Sequence, residues 1–181
     1  MPTWVVSTLL DNDLLALNRA IGIIRRRNLN VPSFSLGPSL RAGVTRLTCI
    51  VEGDEDATIR MANQLRKMVG VSQVLVHAES ECVGREHVLV RMRVSPAQLS
   101  ALLDTVALFD AKVVDENPHD LLIEATGSAP FMVSLLRALE AFDILDLARG
   151  GTLALPPAPP PEPGAQRPSA APPRVATAIP A

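Results

Sequence analysis

The order strand–helix–strand–strand–helix–strand is written twice in succession along this chain, and that repeat constrains the fold more than any other feature. Trp4 to Leu10 is a short apolar run rich in β-branched residues, which predicts a buried strand. Asn12 and Asp13 supply helix N-cap chemistry. Leu14, Leu17, Ile21 and Ile24 then recur at helical spacing until Asn28 closes the helix. Val31 to Leu36 alternates and reads as a strand with one buried face, and Pro32, which removes a ladder donor, puts it at a sheet edge. Val44 to Val51 alternates again, with Thr45, Leu47, Cys49 and Val51 on one face. Asp54, Glu55 and Asp56 place negative charge where the next helix begins and its dipole favours it. Ile59, Ala62, Leu65 and Val69 are the expected buried face of that helix. Gly70 caps it, and Val71 to Val76 completes the first unit.

The second unit repeats the order. Val88 to Val94 alternates as a strand, and Ser95-Pro96 is expected to open a helix as N-cap and first helical residue, with Leu99, Leu102 and Val106 inward. Lys112 to Asp115 and Leu121 to Ala125 read as strands joined at the Asn117-Pro118 turn. Ser128 caps a helix that turns Phe131, Leu135, Leu139 and Phe142 inward, and Ile144 to Leu155 is a last strand interrupted at Gly150-Gly151. The expected class is α+β: two tandem ferredoxin-like βαββαβ domains of about 75 residues each. The first spans residues 1–78, a polar joint 79–86 (Ala78 to Glu86 reads AESECVGRE), and the second 87–155. Residues 156–181 hold ten prolines and no Ile or Leu before Ile179, the composition of a disordered tail.

Composition removes several function classes. Of 181 residues 48% are hydrophobic, enough for two cores, yet aromatics amount to four Phe and one Trp. With 17 basic against 19 acidic residues, a nucleic-acid binder working by bulk charge is excluded, and the missing aromatics disfavour a base-stacking platform. Cys49 and Cys82 are too few for a disulfide scaffold and lack metal or redox spacing. No apolar run reaches the roughly 18 residues of a membrane span, and Met-Pro-Thr-Trp carries no basic n-region. A cytoplasmic protein is expected.

Catalytic and metal-binding constellations are not evident in the sequence. His77, His87 and His119 are scattered, with no ligand pair among them. No Walker loop, nucleophile elbow or dinucleotide fingerprint occurs. Cys49 alternates with apolar neighbours and reads as a core thiol, while Cys82 in the joint has no activating base. Arg25-Arg26-Arg27 sits where a helix C-terminus favours positive charge. One arrangement suits a ligand: the strand-to-helix turn Leu9 to Asp13, where unpaired N–H groups and the Asn12 amide could receive a carboxylate such as that of a free amino acid. An ordinary N-cap needs the same residues.

The segment VVSTLLDNDLLALNRAIGIIRRRNLNVPSFSLG resembles the opening of the small, regulatory subunit of acetolactate synthase (acetohydroxyacid synthase). That family's N-x-x-G-A-L and R-x-x-G-L-F-x-x-R-G-x-N-I-x-S-L are matched at Asn12, Ala16-Leu17, Arg19, Gly22, Arg27, Asn30 and Ser33. Thr45 to Thr48, Gly53-Asp54 and Gln64 to Lys67 resemble its S-R-M-T, G-D and Q-L-x-K. Arg85 to Arg91, Phe109 to Asp115 and Ala148 to Gly151 resemble later motifs. The match runs in order from about residue 3 to 155.

The resemblance implies an amino-terminal ACT domain and a related second domain, with no catalysis and no cofactor in this chain. It implies a catalytic large subunit as partner, holding thiamine diphosphate, Mg and FAD, which this chain would bind and activate in branched-chain amino-acid biosynthesis. Homodimers form through the ACT domain in that family. The branched-chain effector, usually valine, lies between the strand–helix turn of one copy and the second strand of the other. Carried over by position, the effector-binding residues would be Asn12, Leu15, Ala16 and Asn30, with Val31 nearby. The family has glycine where this chain has Leu15, which implies weakened valine feedback. Pro32 and the tail are further departures. A free-standing ACT-type amino-acid sensor with another partner is the alternative. A ferredoxin-like acylphosphatase is disfavoured because the Asp11 to Leu15 turn has no glycine-rich phosphate cradle.

Overall fold

The computed structural model describes residues 1–157, so the expected tail lies outside the described residues apart from its first two prolines. In the first unit β1 (Thr3–Asp11), α1 (Leu14–Arg25), β2 (Asn30–Pro38), β3 (Val44–Glu52), α2 (Glu55–Arg66) and β4 (Val71–Ala78) build an antiparallel sheet of order β2-β3-β1-β4. In the second, β5 (Val83–Arg93), α3 (Leu99–Leu108), β6 (Lys112–Glu116), β7 (Asp120–Gly127), α4 (Ala129–Leu139) and β8 (Asp143–Arg149) give the matching order β6-β7-β5-β8. A short β9 (Leu153–Leu155) pairs with Val83–Arg85 at the start of β5. The two tandem ferredoxin-like domains expected from the repeat are therefore present.

Each sheet packs its helices on one face. Val6, Leu10, Leu47, Cys49 and Val51 meet Ala16, Ala20, Ile24, Met61, Ala62 and Leu65 in the first core. Val88, Val90, Met92 and Ile123 meet Leu102, Met132, Leu135 and Leu139 in the second. Caps follow the sequence: Asp54 Oδ1 accepts from Ala57 N at 2.8 Å and Ser128 Oγ from Phe131 N at 3.4 Å.

Several expected core positions are not core. On α1 the buried stripe is Ala16, Ala20 and Ile24, whereas Leu14 is 83% exposed and Ile21 points outward. The helix carries two apolar stripes, and spacing alone does not say which one meets the sheet; the alanines win because they allow close approach. On α2 Met61, Ala62 and Leu65 are buried with Thr58, while Ile59 is partly exposed and Val69, beyond the helix end, fully so. Leu99 is likewise half-exposed at the start of α3. That helix begins three residues later than Ser95-Pro96 suggests, because Ser95 Oγ donates to Gln98 Oε1 (2.8 Å) and its carbonyl accepts from Gln98 N, closing a turn first. β2 has no fully buried face: Phe34 and Leu36, on the helix side of the sheet edge, stay half-exposed. The joint is shorter than 79–86, a single 3-10 turn over Glu79–Glu81 before β5 starts at Val83.

This burial map has a measurable consequence. Leu135→Ala is expected to cost about 2–5 kcal/mol and Leu14→Ala no more than about 0.5 kcal/mol, read as urea midpoints of the purified chain.

Candidate functional site

The β1–α1 turn is held in place from several sides. Asp13, in extended backbone geometry, caps α1 by accepting from Leu15 N at 3.1 Å. Asn12 N donates to Gly43 O (2.8 Å), and the Thr45 hydroxyl donates to Asn12 Oδ1 (2.9 Å). Asp11 N donates to Gly70 O at 2.8 Å. Gly70 has φ +89°, a conformation that L side chains rarely adopt, so the backbone here calls for glycine. What remains open is the first turn of α1: the N–H groups of Leu14 and Ala16 and the Asn12 amide nitrogen have no acceptor among the described residues. Helix N-termini of this kind suit a carboxylate.

The sequence-predicted site residues contribute unequally. Ala16 is buried and its methyl group belongs to the core, so it offers only its N–H. Leu15 is 53% exposed and joins no core cluster, so its side chain stands beside the open turn instead of folding away. Asn30 Nδ2 donates to Glu52 Oε2 at 2.7 Å, and Val31 packs partly against the first core. Asn30 pairs with Glu52 at one end of β3, while Asp11 pairs with Val44 at the other. Eight residue steps separate those ends, about 26 Å. One chain thus does not bring Asn12 and Asn30 together.

A second polar constellation lies between the domains, and no local sequence motif marks it. A cleft of about 570 Å³ is lined by Ser33, Phe34, Glu52, Glu86, Arg149 and Thr152 among others. The Glu86 carboxylate is buried and accepts from Arg149 Nε at 2.7 Å and from the Thr152 hydroxyl at 2.9 Å. Thr152 N donates to Ser33 Oγ at 2.8 Å. In the sequence Arg85-Glu86 is only a motif and Gly150-Gly151 only a strand break; a charged residue at an inward strand position was the available signal.

Other reactive groups are accounted for. Burial pushes the Cys49 thiol to about 12, which fits a core residue. Cys82 is also raised, by burial first and then by Glu81 and Glu79. His87 pairs with Glu124 at 3.0 Å on the surface of the second domain. Arg25, Arg26 and Arg27 are exposed at the end of α1. Among the described residues no group of His, Cys, Asp or Glu could hold a metal, and no helix is long and apolar enough to cross a membrane.

Two ferredoxin-like units in tandem, the first with an open strand–helix turn and an edge strand, are the frame on which comparison with known proteins places an ACT-type chain. Residues 7–73 match the model of the small-subunit-like ACT domain of acetohydroxyacid synthase, and residues 85–157 match that of the small subunit of acetolactate synthase. The acetolactate synthase small subunit of Mycolicibacterium smegmatis is 30% identical over 154 residues, covering 85% of this chain and 91% of the relative. The chloroplastic small subunit 1 of Nicotiana plumbaginifolia is 31% identical over 144 residues, 80% of this chain and 32% of that longer protein. The crystal structure of the Thermotoga maritima small subunit superposes with a TM-score of 0.82 at 24% identity, over 88% of this chain and 99% of that one, which shows the shared fold. The chain belongs to the acetolactate synthase small-subunit family. It is a regulatory subunit, and catalysis resides in a separate large subunit.

Proposed function

We propose that this chain binds the catalytic large subunit of acetolactate synthase and stimulates it, working in the cytoplasm in branched-chain amino-acid biosynthesis. The observation that carries the reading is that the two family models fall one on each domain, in the order of the two sheets. Thiamine diphosphate, Mg and FAD belong, on this reading, to the partner. Stimulation then means that the chain has higher affinity for the partner's active conformation than for its inactive one.

The working form is a homodimer through the first domain. β2 is an edge strand with an unpaired outer side, and half-exposed Phe34 and Leu36 lie along it. Antiparallel pairing of two β2 strands about Phe34 sets Asn30 of one copy opposite Pro38 of the other. Pro38 pairs with Thr45, the hydrogen-bond partner of Asn12, so the same pairing carries Asn30 toward the open turn of the neighbouring copy. Asn12, Leu15, Ala16, Asn30 and Val31 would then border one effector site per turn, with valine feedback weakened by Leu15.

Co-expression with the catalytic subunit tests the proposal. The two chains are expected to co-purify, and acetolactate formation by the complex is expected to exceed that of the catalytic subunit alone and to respond little to valine. Absence of any complex at micromolar concentrations would refute it.

A further inference from the structure

The domains meet through a strap, Arg149 to Thr152, laid against the edge strand β2. Gly150 N donates to His87 O at 2.8 Å, fixing the strap to β5. Gly151 lies against the Phe34–Ser35 peptide so closely that a Cβ would sit 1.8 Å from Phe34 O, which no side chain tolerates. Thr152 then spans both domains, its N–H on Ser33 and its hydroxyl on Glu86. Arg149 closes the set on the other Glu86 oxygen. A buried carboxylate is costly unless its lone pairs are filled, so Glu86 holds the strap to the second domain firmly. The hold on β2 is lighter: one hydroxyl and one backbone seat. Apolar support between the domains is small, Val5 and Ile50 against Ala154 with Cys82 alongside. Contacts of this size leave relative domain movement open, and a displacement of about 1 Å would break the Ser33 bond.

We infer that Ser33, Thr152, Glu86 and Arg149 form a latch that ties the placement of the second domain to the state of β2, and that stimulation of the catalytic partner requires the latch closed. The second half of this inference rests on the reading of the chain as a stimulating subunit. Ser33 and Gly151 act as positioning residues: they set where the second domain stands relative to the strand along which two copies pair. The latch links two elements through one contiguous set of bonds, a route by which the state of one can bias the other.

The chain carries its own probe. Cys82 packs against the Val5, Ile50 and Ala154 contact, whereas Cys49 is sealed in the first core. Cys82 is half-covered by that contact, so its alkylation rate in the full chain, with a maleimide at neutral pH, rises as the cover is lost, with buried Cys49 as the unreactive reference. Ser33→Ala and Gly151→Ala are each expected to raise the Cys82 rate several-fold, and Ser33→Thr, which keeps the hydroxyl, is expected to stay near the parent. Reconstituted with the catalytic subunit, Ser33→Ala and Gly151→Ala are expected to bind within about threefold of the parent affinity yet lose more than half of the maximal stimulation. A merely structural role would lower affinity and stimulation together. Unchanged Cys82 rates in both variants would overturn the latch. Faster Cys82 with full stimulation would overturn its regulatory role. A parent chain that fails to stimulate, while Cys82 still responds to Ser33→Ala, would refute the functional reading and leave the latch as a purely mechanical clamp.

Discussion

Leu15→Gly is expected to bind valine at least about 30-fold more tightly than the parent chain, in which binding is weak or absent. An effector carboxylate at this turn must reach the N–H groups of Leu14 and Ala16, and the half-exposed Leu15 is the residue between them in the chain. A side chain folded into the core would only narrow the approach; Leu15 lies outside the core, and its isobutyl group is expected to fill the space a ligand would use. Each charge-assisted hydrogen bond regained is worth about 1.5–3 kcal/mol, against a helix cost of about 1 kcal/mol for glycine. Two such bonds leave a net gain of at least about 2 kcal/mol, hence the factor. Calorimetry on the purified chain and its variant decides the matter. Micromolar valine binding by the parent would remove Leu15 as an obstacle, and no gain in Leu15→Gly would remove the turn as the site.

The second large effect concerns assembly. In solution the chain is expected to run at twice its 19.3 kDa mass, and Phe34→Lys to shift it toward monomer by on the order of 100-fold in dissociation constant. A pairing centred on Phe34 sets the two introduced ammonium groups opposite each other and removes two half-exposed rings from the contact. Pro32 beside the bulge in the β2–β3 pairing already shortens the usable edge, so the interface has little reserve. Light scattering across a concentration series measures the shift. A parent chain that is monomeric at micromolar concentration would contradict the dimer.

How far the sequence foretold all this depends on which physical signal each feature carries. Strand order was legible because Gly70, Asn117-Pro118 and Ser128 punctuate the chain where backbone geometry leaves few choices. The stripe of α1 that meets the sheet was legible only in part. Of Leu14, Leu17, Ile21 and Ile24, Ile24 is buried and Leu17 packs against the core, whereas Leu14 and Ile21 are exposed. Ala16 and Ala20, which hydrophobic size does not single out, are buried. The turn at Asn12 was legible as a cap, and the resemblance made it a candidate site. That Asn30 lies at the far end of the sheet is a matter of register, which no local pattern encodes. The Glu86 to Ser33 connection was hidden for a related reason: its members are separated by 53 to 119 positions and meet only when the strap folds back on β2.

Stimulation of a catalytic partner by this regulatory subunit is measured by titrating the purified chain into a fixed amount of acetolactate synthase catalytic subunit and following the rate of acetolactate formation. A saturable rise is expected, to a plateau several-fold above the rate of the catalytic subunit alone and little changed by millimolar valine. A flat titration, with the two chains shown to be folded and mixed at micromolar concentration, would contradict it.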